Sequence, residues 1–225
     1  MSKKKNTFTN ANSTPISVTK PQTTTHNTNN KWWLYGSYVA LFLLVFMLYK
    51  VGFGNDFVDW DDITYIKENL YILNPSWSNA WLFLKSSYFG NYHPLTMWSY
   101  MANVALFGKD ASSIIITNVL LHALNSCMVL YLAYRLAGRS LWVGVLTALF
   151  FAIHPLHVES VTWVSERKDV LYGGFFIGAC ISYWTYLTAK KQIWYALTLV
   201  LFLLSCLSKP AAVVLPLVLL LLDNW

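Results

Sequence analysis

The sequence predicts an all-α polytopic membrane protein with about six transmembrane helices and a long first external loop that carries interfacial helices. Three observations predict it. Hydrophobic residues make up 56% of the chain and charged residues only 12%, about half the share usual in soluble domains. Six apolar segments follow one another that meet or approach the ~20 residues needed to cross the hydrocarbon core of a bilayer, the third and fifth being short. Aromatic residues reach 17%, with 11 Trp and 14 Tyr, many at the ends of those segments, where amphipathic rings favour the headgroup layer.

Residues 1–30 are rich in Thr, Asn and Ser and lack an apolar core, which predicts a disordered tail rather than a cleaved signal peptide. Lys3, Lys4, Lys5 and Lys20 lie in that tail and Lys31 at its end, so the formal charge of +6 reads as a retained cytoplasmic segment and not as a nucleic-acid surface. The first span runs from Trp32 to Phe53 and can act as a signal anchor. The others are Ser113–Tyr134, Leu141 to about Leu156, Val170–Ala189, Ile193–Leu207 and Ala211–Leu222. Cys127, Cys180 and Cys206 all fall inside apolar segments, where they serve as small hydrophobes with no disulfide or zinc spacing.

The external loop, 54–111, opens with Asp59-Trp60-Asp61-Asp62, just beyond the first span. Adjacent carboxylates beside a membrane are costly unless solvated, paired or used. Asp61 or Asp62 can cap a short helix over Ile63–Leu70, Asp being a favoured N-cap, or serve chemistry. Asn74-Pro75 looks like an N-cap followed by proline at the first helical position. Trp77, Trp81, Leu84 and Tyr88 then recur at i, i+4, i+7 and i+11, one face of a helix that either lies along the membrane surface or packs on the bundle. His93-Pro94 closes a polar turn.

In the second span Asn118, His122 and Asn125 share one stripe, either to hydrogen-bond neighbouring helices or to line a cavity. Gly174 and Gly178 form a small-xxx-small pair suited to close helix approach. The third connection carries His154, His157, Glu159, Glu166, Arg167, Lys168 and Asp169, and the fifth carries Lys209. Alternate connections of a six-span chain emerge on one face, so the first, third and fifth can meet. Arg135, Arg139, Lys190, Lys191 and the lysine-rich tail mark the other face as cytoplasmic, which leaves nine of the ten acids outside. Arg167, Lys168 and Lys209 run against the positive-inside bias and so become functional candidates.

Acids with cations at a membrane surface suit transfer of a sugar from a lipid phosphate: cations meet the charge of the leaving phosphate and a carboxylate takes the proton of the incoming hydroxyl. Plainer readings stand beside that one. Glu166-Arg167-Lys168-Asp169 can be a self-paired, solvated run. His154, His157 and Glu159 can be metal ligands, although a proline intervenes and no helical His pair at i, i+4 exists; no metal site is assigned, and the need for a cofactor stays open.

At Phe57-Val58-Asp59-Trp60-Asp61-Asp62, at Asn91-Tyr92-His93-Pro94-Leu95-Thr96, in the run from His154 to Asp169 and at Ser208-Lys209-Pro210, the chain resembles the GT-C class of polytopic glycosyltransferases. More narrowly it is similar to the transmembrane O-mannosyltransferases with tetratricopeptide repeats, especially their bacterial relatives. The resemblance covers 31–225 and implies a partial GT-C fold, a transmembrane glycosyltransferase domain continued elsewhere by further spans. A C-terminal repeat region or a second subunit would complete it. It implies a polyprenyl-phosphate sugar donor, typically mannose, and an acceptor protein with Ser or Thr hydroxyls. Asp61 and Asp62 become the catalytic residues, Asp61 as general base toward the acceptor hydroxyl and Asp62 as the acid that orients it. His93, His154, His157, Glu159, Arg167, Lys168, Asp169 and Lys209 become candidates for binding the substrate or the donor phosphate, with Arg167, Lys168 and Lys209 as the phosphate contacts. The expected location is a bacterial inner membrane with the N-terminus cytoplasmic and the active face external. The alternative is a non-catalytic polyprenyl-phosphate-binding or assembly subunit of a split transferase.

Overall fold

The computed structural model describes residues 29–225, which form helices joined by short turns. The predicted tail over 1–30 lies outside the described residues, except that Asn29 and Asn30 already belong to the first helix, α1 (Asn29–Tyr49). A 3-10 turn, Lys50–Gly54, extends it. The external loop then supplies a π-helical turn (Ile63–Lys67), α2 (Leu70–Leu73), α3 (Trp77–Lys85) and α4 (Pro94–Phe107). After it come α5 (Ala111–Leu136), α6 (Leu141–Ile153), α7 (His157–Thr162), α8 (Arg167–Ala189), α9 (Gln192–Ser208), a 3-10 turn (Pro210–Val214) and α10 (Leu215–Asp223).

Among the described residues, three stretches are long and apolar enough to cross a membrane: Lys31–Gly54, Ala111–Leu136 and Val164–Ala189, of 24, 26 and 26 residues. The remaining apolar helices, Leu141–Ile153, Gln192–Ser208 and Pro210–Asp223, are shorter. At 1.5 Å per residue the 13 residues of α6 extend about 20 Å, less than the ~30 Å of hydrocarbon. The sixth apolar segment is also bent at its start, because Pro210 and Pro216 leave it a 3-10 turn before the α-helix.

Helix α5 is the central element, packed by α1, α4, α6, α7 and α8. Small residues let its neighbours approach. A Cβ on Gly144 of α6 would stand 3.0 Å from the Leu130 carbonyl oxygen and from Tyr134 Cβ. A Cβ on Gly174 of α8 would stand 2.7 Å from Asn125 Oδ1, so the expected Gly174 and Gly178 pair does face α5, with Leu201 of α9 also beside Gly178. Val45, Ile66, Met97, Tyr100, Ile114 and Leu130 form the main core, drawn from α1, the loop, α4 and α5.

Local chemistry corrects one expectation and decides between two alternatives in another. Asn74 does not start α3. Ser76, in an extended conformation, does so by accepting a hydrogen bond from the Asn79 amide at 3.2 Å, while Asn74 ends α2. The Trp77 and Trp81 face points away from the protein: Trp77 is 92% exposed, and α3 packs instead through Phe83 and through the Ala80 carbonyl, which accepts from Trp98 Nε1.

Candidate active site

The acid pair divides between two environments. Asp62 is fully buried, and its carboxylate accepts the main-chain N–H of Val58 and of Ser165, both at 2.9 Å. It therefore ties the first loop to the third connection. Although it precedes the π-helical turn, its side chain makes no capping bond there, so the capping expectation gives way to a longer-range one. Asp61 is half-buried, and among the described residues its carboxylate accepts no hydrogen bond. Asp59 is exposed.

Tyr65, one helical turn after Asp61, organises the surroundings and was not singled out by the sequence reading. Its hydroxyl accepts from Asn91 Nδ2 at 2.7 Å, its ring meets the His93 imidazole at 5.2 Å, and the Lys168 ammonium lies 5.8 Å from its centroid. Burial raises the Tyr65 hydroxyl pKa, and the charges of Asp61 and Glu166 raise it further, against the lowering effect of the Asn91 bond. His93 is buried at the start of α4. Burial, reinforced by the Lys168 charge, lowers it from 6.5 to about 4, so it is neutral at pH 7 and does not supply a cation. Lys168 is held by Glu166 Oε1 at 2.8 Å.

Three consecutive residues at the start of α8 face three ways, because successive helical residues turn by about 100°. Arg167 turns inward and is 0% exposed. Its Nε donates to Asn118 Oδ1 (2.8 Å), Nη1 to the Ser99 carbonyl (3.1 Å), and Nη2 to Asn103 Oδ1 (2.8 Å) and the Ile114 carbonyl (2.9 Å). The guanidinium also stacks 4.9 Å over Tyr100. It spans α4 and α5 and leaves no surface for a donor phosphate, which departs from the role expected of it. Lys168 turns toward Tyr65.

Asp169 turns toward a cavity. It pairs with Lys209 and accepts from Ser160 Oγ at 3.0 Å. The cavity, about 420 Å³, is lined by His122, Asn125, His157, Ser160 and Asp169 together with apolar and aromatic side chains such as Phe151 and Phe176. His122 and Asn125 serve both roles considered for the polar stripe: His122 Nε2 bonds the Ala152 carbonyl (3.1 Å), Asn125 Nδ2 donates to the Val170 carbonyl (2.7 Å), and both line the space. Burial and the neighbouring His154 lower the His157 pKa. His154 is half-buried, and its Nδ1 accepts the Leu156 amide at 3.3 Å. Glu159 is exposed and its carboxylate stands apart from these contacts. Among the described residues no three His, Cys, Asp or Glu side chains are grouped to hold a metal ion.

The first, third and fifth connections thus do meet. Asp62 bonds Ser165, Lys209 pairs with Asp169, and Thr96 Oγ1 of α4 donates to the Ser208 carbonyl at 2.9 Å. Of the expected residues, Asp61, His93 and Lys168 gather around Tyr65, Asp62 joins the first loop to the third connection, and His157, Asp169 and Lys209 gather at the cavity; Arg167 braces the bundle between them.

The chain is similar to proteins named protein O-mannosyl-transferase. It is 33% identical over 93 residues to TMTC1 of Mus musculus, which is 41% of this chain and 10% of that protein. It is 31% identical over 145 residues to tmtc2 of Xenopus laevis, 61% of this chain and 17% of that protein. With TMTC3 of Homo sapiens it shares 31% over 120 residues, 51% of this chain and 12% of that protein. The chain thus spans about a sixth or less of the length of these relatives. No family model matches the chain, and no solved structure matches it.

Proposed function

We propose that the chain carries the acid-bearing part of a membrane-embedded glycosyltransferase of GT-C type. It moves a sugar, mannose by the names of its relatives, from a polyprenyl-phosphate donor to a Ser or Thr hydroxyl of an exported protein. The observation that carries the reading is the division within the acid pair: Asp62 is spent on holding two loops together, while Asp61 sits beside it half-exposed and unbonded. A base needs a fixed main chain and an open carboxylate. Asp61 takes the acceptor O–H proton as the hydroxyl oxygen bonds to the sugar C1. The bond from C1 to the phosphate oxygen breaks, and the polyprenyl phosphate leaves with the electron pair. Lys168 meets that developing charge, with Lys209 at the cavity as a second cation; His93 contributes a neutral imidazole. The three shorter apolar helices complete six membrane segments in this reading, with the N-terminus in the cytoplasm of a bacterium and Asp61 on the outer face of its inner membrane.

The test is transfer of labelled mannose from polyprenyl-phosphate mannose to membrane protein, comparing wild type with Asp61→Asn at matched expression. Transfer is expected to fall by about 100-fold or more with lipid binding retained. Equal transfer by the two removes Asp61 from the chemistry. Lipid binding without transfer by either makes the chain a binding or assembly unit.

A further inference from the structure

The cavity beside Asp169 is lined by hydrogen-bond acceptors that the protein leaves unmet. His122 and Asn125 are only 1% and 4% exposed, and both line it. A carbonyl oxygen can only accept, so the bond from His122 Nε2 to Ala152 places the imidazole proton on Nε2 and leaves the Nδ1 lone pair open. Asn125 gives its amide N–H to the Val170 carbonyl, and among the described residues nothing donates to its Oδ1. Ser160 Oγ gives its proton to Asp169 and so presents lone pairs as well. The imidazole of His157 makes no hydrogen bond among the described residues. Buried acceptors without donors are unfavourable, and two side chains more than nine-tenths buried carry one each.

A ligand that satisfies this lining donates several hydrogen bonds and carries no charge. Asp169 is already neutralised by Lys209, so a cation would bring an unmatched charge out of water. A phosphate would set its oxygens against acceptors, and a hydrocarbon chain would leave the acceptors unmet. Hydroxyl groups fit, since each donates one bond. The rest of the lining is largely apolar and aromatic, Phe176 included, and suits a face of C–H groups. At about 420 Å³ the space lies within the ~300–1,000 Å³ of small-molecule pockets. A pyranose joins the two properties, with hydroxyls around its rim and C–H groups on its faces.

We propose that this cavity binds a neutral pyranose, its hydroxyls on His122 Nδ1, Asn125 Oδ1 and His157 and a C–H face toward Phe176. The sugar arrives either as the head of a lipid-linked donor or as a residue already attached to a protein. Binding here does not involve Asp61, so it stands whether or not the chain transfers sugar.

Gly173 supplies the test, because it lines the cavity and a Cβ added there would meet only Asn125 Nδ2, at an ordinary 3.8 Å. Saturation-transfer NMR on the detergent-purified full chain reads binding of the methyl α-glycosides of mannose, glucose and galactose. At least one is expected to bind wild type. Gly173→Leu fills the space and abolishes binding, whereas Gly36→Leu, at a position of α1 where a Cβ meets nothing within 4 Å, leaves it unchanged. His157→Phe keeps a ring in place, removes no hydrogen bond of the fold and weakens binding by about fivefold, the loss of one neutral hydrogen bond. Displacement of the glycoside by polyprenyl-phosphate mannose but not by polyprenyl phosphate identifies the lipid-linked source; displacement by a mannosylated Ser or Thr peptide identifies the protein-linked one. Binding of none of the three glycosides overturns the proposal, as does equal binding by Gly173→Leu and Gly36→Leu. Displacement by inorganic phosphate or by polyprenyl phosphate overturns it too, because the ligand is then an anion or a lipid. If Gly173→Leu misfolds, unchanged binding by His157→Phe does the same.

Discussion

Replacing Arg167 with lysine separates a strut from a ligand contact. The guanidinium reaches Ser99 and Asn103 on α4 and Ile114 and Asn118 on α5 with three nitrogens in one plane. An ammonium is a single point on a shorter stem and cannot serve both helices, so at least two of the four bonds are lost. Hydrogen bonds to a charged group contribute about 1.5–3 kcal/mol each, which puts the loss at about 3–6 kcal/mol; breaking a buried charge network elsewhere costs a similar ~3–5 kcal/mol. For a chain of this size that lowers the melting temperature on the order of 10 °C. The assay is intrinsic tryptophan fluorescence during thermal unfolding in detergent, with polyprenyl-phosphate binding measured on the same samples. A variant that melts with wild type but no longer binds the lipid phosphate refutes the strut and restores Arg167 to the ligand.

Other perturbations separate the remaining roles. Asp62→Asn turns an amide N–H toward one of two main-chain donors and is expected to cost about 1–3 kcal/mol in the same unfolding assay; Asp61→Asn, at an unbonded position, stays within about 0.5 kcal/mol of wild type. Equal effects of the two would contradict the division within the pair. Gly144→Ala drives a methyl group against the Leu130 carbonyl and Tyr134 Cβ, neither able to swing aside, and should destabilise by about 1–3 kcal/mol. His93 takes up a proton more readily unfolded, near 6.5, than folded, near 4. Its contribution is therefore fully present above pH 6.5 and is lost as pH falls toward 4, by at most about 3 kcal/mol. His93→Gln should flatten that part of the stability profile, and an unchanged profile would place the titration elsewhere.

Helix positions were legible in the sequence because apolar runs and their punctuation are local. The starts of α5, α8 and α9 fall within three residues of the expected ones. The meeting of the first, third and fifth connections was legible from the alternation of the segments alone. What could not be read was the direction of each side chain. The spacing of Trp77 and Trp81 left a packing and an outward, interfacial face both open, and the burial of Phe83, a single residue off that stripe, decides for the outward one. Tyr65 gave only the faint signal of an aromatic hydroxyl one turn after Asp61. The bond from Asp62 to the Ser165 amide, 103 positions away, has no signature in the sequence at all.

The run Glu166-Arg167-Lys168-Asp169 shows why charge patterning near a membrane resists a single reading. As a string it is neutral and self-paired; on a helix start its members diverge by about 100° each. Glu166 stays beside Lys168, and both lie close to Tyr65. Asp169 instead finds its partner on the fifth connection, and Arg167 finds none among the described acids but is solvated by four fixed oxygens and a ring. A buried cation held by dipoles instead of a carboxylate keeps its position without neutralising an acid of the site. That leaves the carboxylate of Asp61 unspent, the condition a base requires, while the same guanidinium fixes the helix that aims Lys168 and Asp169.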